Sequence, residues 1–416
     1  MMRARASGLH CWAAAILLVA EVPAVARDDA EVARGRYLAQ IGDCETCHTD
    51  SGGKPFAGSR AIPTPFGTIY SRNITPDATT GIGGWSDEDF YRALHEGLDR
   101  NGEHLYPAFP YPWFTKLSRA DVHSIKVYLD TLPAIDKKAP PNELALPARS
   151  RRLVGAWNRL FFKAGEFHAD PNKPAAWNRG AYLVEGAAHC GACHSPKNIA
   201  GAIENERAFQ GGVGEYWFAA DLTGSALGGL SEWSIEEIAT YLKTGANVRT
   251  RATGPMVEVI QMSTSHLSDE DARAIATYLK DLPNGGSAVK PRQDRVADHA
   301  ISNHDSGRNL YLDNCVACHM QNGEGQRDVF PALKGSAIAQ GKNPATAIRL
   351  ILGGGAAAST SVNPNRFAMP AFAGKLDDND IAELISYVRQ AWGNSAANVS
   401  RRDVADVRGQ MRAQTP

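Results

Sequence analysis

Cys44-Glu45-Thr46-Cys47-His48 is the stretch on which the reading of this chain turns. It returns twice, as Cys190-Gly191-Ala192-Cys193-His194 and as Cys315-Val316-Ala317-Cys318-His319. Two cysteines three positions apart, followed at once by histidine, form the attachment pattern of c-type haem. The spacing has a mechanical reason. Each thiol closes a thioether onto one of the two vinyl groups of a single haem, and the adjacent imidazole is delivered to its iron. Three copies therefore predict three covalently bound haem c groups. Cys44, Cys47, Cys190, Cys193, Cys315 and Cys318 would hold the porphyrins, with His48, His194 and His319 as iron ligands. Two other uses of paired cysteines fit poorly. A structural disulfide does not require a following histidine three times over. A zinc site needs two such pairs close together, whereas these lie far apart along the chain.

An iron used purely for electron transfer normally has both axial positions filled, and a thioether opposite the histidine raises its potential. Methionine is therefore the residue to look for next. Met320 adjoins His319 and cannot fold round to the opposite face. Met369, in Phe367-Ala368-Met369-Pro370, lies at a suitable distance before the last long helix and is the expected sixth ligand of the third haem. Met256, in Gly254-Pro255-Met256, is the expected ligand of the second, with Met262 as competitor and core gap-filling as the plain alternative. The first unit has no methionine after His48. At the equivalent place stands Phe109, in Tyr106-Pro107-Ala108-Phe109-Pro110-Tyr111, and a phenyl ring cannot bind iron. Either this haem is five-coordinate or another group, such as His104, supplies the bond; His104 equally reads as a surface residue.

The rest of the chain repeats with the motif. Leading helices carry Gly35 and Tyr37, Gly180 and Tyr182, and Gly307 and Tyr311. Trailing helices open at Leu117-Ser118, Leu267-Ser268 and Leu376-Asp377 and carry Tyr128, Tyr278 and Tyr387 at matching places. These glycines and tyrosines read as helix-packing residues, and Ser118, Ser268 and Asp377 as N-caps. The first two units also share Ile69 to Thr75 with Trp85-Ser86, against Trp217 to Thr223 with Trp233-Ser234. Arg72 and Asn73 in that section read equally as haem propionate neighbours and as turn residues. The fold class expected is all-α, with three tandem cytochrome c domains at 27–135, 173–284 and 300–395. Linkers are expected at 136–172 and 285–299, the first holding an amphipathic helix with the stripe Leu153, Trp157 and Leu160, and a tail at 396–416. That helix would pack between domains, or else touch a membrane or a partner.

At the other end, Arg3 and Arg5, an apolar run from Cys11 to Ala20 and Ala24-Val25-Ala26 have the form of a signal peptide over 1–26, which implies export to the periplasm. Charge is nearly balanced, 44 Lys and Arg against 45 Asp and Glu, and leaves no footprint for nucleic acid.

Together the three motifs, His104-Leu105-Tyr106-Pro107-Ala108-Phe109-Pro110-Tyr111, Gly254-Pro255-Met256 and Trp392-Gly393-Asn394 give a chain that resembles the triheme cytochrome c subunits of bacterial membrane-associated dehydrogenases for alcohol, gluconate and fructose. The resemblance implies a quinoprotein or flavoprotein catalytic subunit as partner. It also implies ubiquinone or a terminal oxidase as acceptor, and a peripheral seat on the outer face of the cytoplasmic membrane. Phe109 departs from the methionine of the alcohol dehydrogenase subunits and looks more like cytochromes that accompany molybdenum hydroxylases. A rival expectation follows from the same residue: an open first haem that reduces peroxide, fed by the other two. A free periplasmic shuttle is the third.

Overall fold

The computed structural model describes residues 24–214, 216–225, 229–283, 305–327, 329–364 and 367–414. Most of the expected signal peptide and the whole expected linker at 285–299 lie outside the described residues. The first unit runs α1 (Ala24–Ile41), β1 (Ala61–Thr64), β2 (Gly67–Tyr70), α2 (Asp87–Glu96) and α3 (Arg119–Asp130), followed by β3 (Glu143–Leu144) and α4 (Arg151–Phe161). The second runs α5 (Ala175–Tyr182), β4 (Gln210–Gly214), β5 (Trp217–Asp221), α6 (Ile235–Thr244), α7 (Pro255–Met262) and α8 (Asp269–Lys280). The third holds α9 (Asp305–Asn314), α10 (Ala345–Gly353), β6 (Gly355–Ala356), β7 (Ala368–Met369), α11 (Asp378–Gln390) and α12 (Arg401–Gln414).

Local sequence fixes where the trailing helices begin. Ser118 and Ser268 accept hydrogen bonds from the backbone N–H of Asp121 and Asp271, and Asp377 closes a full capping box with Asp380. Such side chains satisfy N–H groups that the first helical turn leaves without partners. Each trailing helix then crosses its leading helix at a glycine. A Cβ on Gly35 would run into the Ser124 carbonyl and Tyr128, one on Gly180 into Ala274 and Tyr278, and one on Gly307 into Glu383 and Tyr387. The glycines and tyrosines are thus the helix contacts expected of them.

The all-α expectation needs correction. Three small antiparallel sheets join the helices: β1-β2-β3, β4-β5 and β6-β7. Each pairs short segments around turn residues, as at Thr64-Pro65-Phe66-Gly67, where Gly67 takes φ 121. These segments are too short for a visible period, so the sequence reading leaves them as loop.

The first two units share one continuous core, in which Leu38, Ile125 and Leu129 join Leu183, Val184, Ile275 and Leu279. Their contact is reciprocal. Tyr37 on α1 donates its hydroxyl to Asp271 of the second unit at 2.6 Å, and Tyr182 on α5 donates to Asp121 of the first. The same two hydroxyls accept from the backbone N–H of Ser268 and of Ser118. The third unit has its own core around Tyr311, Ile348 and Ile385, and its tyrosine turns inward, donating to the Met320 carbonyl at 2.5 Å. It docks on β5, where Thr346 accepts from the Phe218 N–H at 3.1 Å and donates to the Phe218 carbonyl at 3.0 Å.

Two segments read as connections are built into the units. Within 136–172, β3 pairs with β2, and α4 buries Val154 and Asn158 against the first unit while Trp157 donates to the Ala200 carbonyl of the second. Leu153 and Leu160, expected on its packing stripe, are 47% and 74% exposed. The packed face is therefore the polar-edged one, held by Tyr111 and Asn158 at 2.5 Å. The tail is likewise a helix of the third unit: Val404 and Val407 on α12 are buried, and Arg408 pairs with Asp378 at 2.7 Å. Among the described residues no helix is long and apolar enough to cross a membrane.

Candidate metal centres

Each cysteine pair lies at a single helical turn shortly after its leading helix, with its histidine ending or capping that turn. The three histidines then meet the same environment. His48 Nδ1 lies 2.6 Å from the Arg72 carbonyl, His194 Nδ1 2.7 Å from that of Ala220, and His319 Nδ1 2.9 Å from that of Pro331. A carbonyl only accepts, so Nδ1 carries the proton in each ring and Nε2 keeps its lone pair. This is the arrangement that fixes the tautomer and orientation of a metal-ligating imidazole. Burial lowers the pKa of all three, which keeps the rings neutral, and the carbonyl contact opposes that only in part.

The first cysteine of each pair is ill suited to act as a thiolate. None of the six is joined in a disulfide. Burial pushes Cys44 and Cys190 up to about 12 and Cys315 up to about 11. Redox-active pairs and zinc thiolates call for the opposite shift.

In the first unit these groups open into a cavity of about 450 Å³, lined mainly by apolar side chains and flanked by Cys44, Cys47 and His48. Its size falls within the ~300–1,000 Å³ typical of buried cofactor sites. Phe109 lines this cavity and packs its ring 5.6 Å from that of Phe114. The position that matches the methionine of the other units therefore does face the first centre, and it offers no donor atom. His104 does not line the cavity. Its Nδ1 is 3.4 Å from the Asn158 side-chain nitrogen, and its Nε2 edge packs against Gly155 on α4. Arg72 and Asn73 both line the cavity, with different employment. The Asn73 amide is used up internally, donating to the Ile135 carbonyl at 2.6 Å and accepting from Thr75. The guanidinium of Arg72 is held only by long contacts to the Ala139 and Pro140 carbonyls, and burial and the nearby Arg151 lower its pKa. Arg72 and Arg151, the latter also paired with Glu103 at 3.4 Å, thus put two guanidinium groups on the cavity wall, suited to charge-assisted hydrogen bonds with carboxylates.

Met256 is the second residue of α7, two positions after the helix-capping Gly254 at φ 56, and packs half-buried between the shared core and a small cluster of Ala252, Ile260 and Ala358. Met262 ends the same helix. Met369 sits in β7 opposite Gly355, half-buried, just before α11. Both methionines occupy the stretch between haem motif and trailing helix that Phe109 occupies in the first unit.

Two cavity residues escaped the sequence reading. Arg151 was one of several arginines near the amphipathic stripe, with nothing to single it out. His189 comes from the second unit yet lines the cavity of the first, and its place directly before Cys190 was the available signal.

Known proteins resemble the chain in part and along its length. The Cytochrome c family model matches residues 305–392. The gluconate 2-dehydrogenase cytochrome c subunit of Pantoea cypripedii is 36% identical over 92% of this chain and 90% of its own length. The cytochrome c subunit of the quinone alcohol dehydrogenase of Gluconobacter oxydans is 35% identical over 92% of this chain and 83% of its own length. A nicotinate dehydrogenase subunit of Pseudomonas putida is 38% identical over 91% of this chain, which spans 32% of that longer protein.

Proposed function

Since the chain belongs to the cytochrome c subunits of bacterial dehydrogenases, we propose that it is a periplasmic three-haem relay, taking electrons from a dehydrogenase catalytic subunit and passing them toward ubiquinone or another respiratory acceptor. The observation that carries the count of three is the repeated imidazole geometry, with Nδ1 donating to a backbone carbonyl beside each Cys-x-x-Cys pair. Residues 27–135, 173–284 and 300–395 are then three cytochrome c domains.

Bound haem c supplies reversible one-electron carriage at its iron. The chain's own residues do the rest. Cys44, Cys47, Cys190, Cys193, Cys315 and Cys318 tether; His48, His194 and His319 ligate; Met256 and Met369 complete the second and third centres. Arg72 and Arg151 neutralise carboxylates in the first crevice, and apolar side chains keep water from it. The catalytic partner is a quinoprotein, a flavoprotein or a molybdenum hydroxylase. Phe109, a departure from the methionine of the alcohol dehydrogenase subunits, favours the last.

Phe109 supports a second reading, in which the first haem is open and reduces peroxide. Purified mature protein separates the two. The relay requires three haems per chain by pyridine haemochrome and optical and paramagnetic resonance spectra unchanged by peroxide. A high-spin haem that turns over peroxide would put the enzyme first, and fewer than three haems would sink the architecture.

A further inference from the structure

Beyond their tyrosine contacts, the first two units also meet at their haem-attachment segments. The stretch Ala187–His189 of the second unit runs past the first cysteine pair. A Cβ built on Gly42 would stand 3.4 Å from Cys44 Sγ and 3.7 Å from the Ala187 carbonyl oxygen. Its last residue, His189, turns its ring into the cavity of the first centre, edge-on to Phe114 with ring centroids 5.4 Å apart. In return, Trp113 of the first unit presses on Gly191, between Cys190 and Cys193, so closely that any Cβ there would overlap the indole.

The backbone of His189 sits at φ 38, in the left-handed region that asparagine, aspartate and histidine enter more readily than other side chains, as Asp43 does at φ 53 directly before Cys44. Its Nδ1 is 3.1 Å from the Ala187 carbonyl, so the proton is on Nδ1, and among the described residues Nε2 has no hydrogen-bonding partner. This half-buried imidazole faces one cavity and is peptide-bonded to the first cysteine of the next attachment motif.

We propose that the first and second haems exchange electrons across this seam, and that the ring of His189 is the contact through which they do so. The inference rests on the three-haem reading. One electron leaves the first iron, which goes from Fe(II) to Fe(III), and arrives at the second, which goes from Fe(III) to Fe(II). No bond forms or breaks and no proton moves. His189 serves by filling, with a conjugated ring one residue from the Cys190 thioether, space that water or a gap would otherwise hold. It is a positioning residue for electron passage.

The test is pulse radiolysis of the holoprotein, in which one electron is delivered per molecule and its redistribution among the haems is followed optically. H189N tolerates the left-handed backbone and removes the ring; H189F keeps a ring and removes the nitrogens. The fast phase between the first two haems should be lost in H189N and retained in H189F, with haem content and low-spin signals as in the unmodified protein. An unchanged fast phase in H189N overturns the proposal. So does conversion of the first haem to high spin in either variant, which would make His189 an iron ligand instead. If the unmodified protein lacks three haems or shows no redistribution, it is the relay reading that fails.

Discussion

Replacing Met369 by histidine exchanges a thioether for a stronger donor at the third centre, and a thioether is the ligand that raises potential. The midpoint potential of that haem should fall by something on the order of 0.1–0.3 V, inside the ~0.8 V that axial ligands span. Potentiometric titration of Met369→His against the unmodified protein reads the shift, and an unmoved potential removes Met369 from the ligand set. The converse change, Phe109→Met, offers the first centre a donor where a phenyl ring now packs on Phe114. Volume is nearly conserved, so stability should move by less than about 1.5 kcal/mol. Any peroxide reactivity of the first haem should disappear. Of the proposed centres, the cysteines and histidines are legible in the sequence because covalent attachment demands a contiguous motif. Arg151 and His189 are not, because what brings them to the first crevice is tertiary packing by elements far along the chain.

At the scale of elements, the glycine crossings are the sharpest constraint. A methyl group on Gly180 would overlap the Ala274 carbonyl on α8, and because that obstacle is backbone the helices must part. Gly180→Ala should destabilise the protein by ~1–3 kcal/mol, seen as a lower denaturation midpoint with haem content retained; a neutral result would mean that the α5–α8 crossing yields freely. The leading and trailing helices, their caps at Ser118, Ser268 and Asp377, and these glycines were all legible, since each rests on a local rule. The hairpins were not, because two strands of four residues, such as β1 and β2, carry too few positions to alternate visibly. The face of α4 was misjudged for a related reason. Apolar count alone favoured Leu153 and Leu160, whereas the buried side carries Val154 and Asn158, the latter accepting from the Tyr111 hydroxyl.

Across the whole molecule, the first two units should behave as one cooperative body, and its weak point is acid. Asp271 is partly buried, which by itself raises its pKa, but hydrogen bonds from Arg179 and Tyr37 outweigh this and leave it below the ordinary value. A carboxyl depressed in the folded state contributes stability that is present above its unfolded pKa, about 3.9, and is lost as pH falls through the folded value. The thermal stability of the paired units should therefore fall below about pH 4. Asp271→Asn should flatten that dependence while lowering stability at neutral pH by ~1–3 kcal/mol, the cost of breaking a partly buried charged network. A pH profile unchanged in the variant would remove Asp271 as its source.

The exchange of tyrosines, Tyr37 to Asp271 and Tyr182 to Asp121, has the geometry of an isologous homodimer written into one polypeptide. Each half offers the same patch to the other, and a two-fold contact of this kind closes on itself. Once paired, neither half has that patch left for a third copy. The third unit accordingly joins by a heterologous contact on β5 and keeps its tyrosine for its own backbone. The chain is thus a closed pair with an appendage, not a filament of three equal beads.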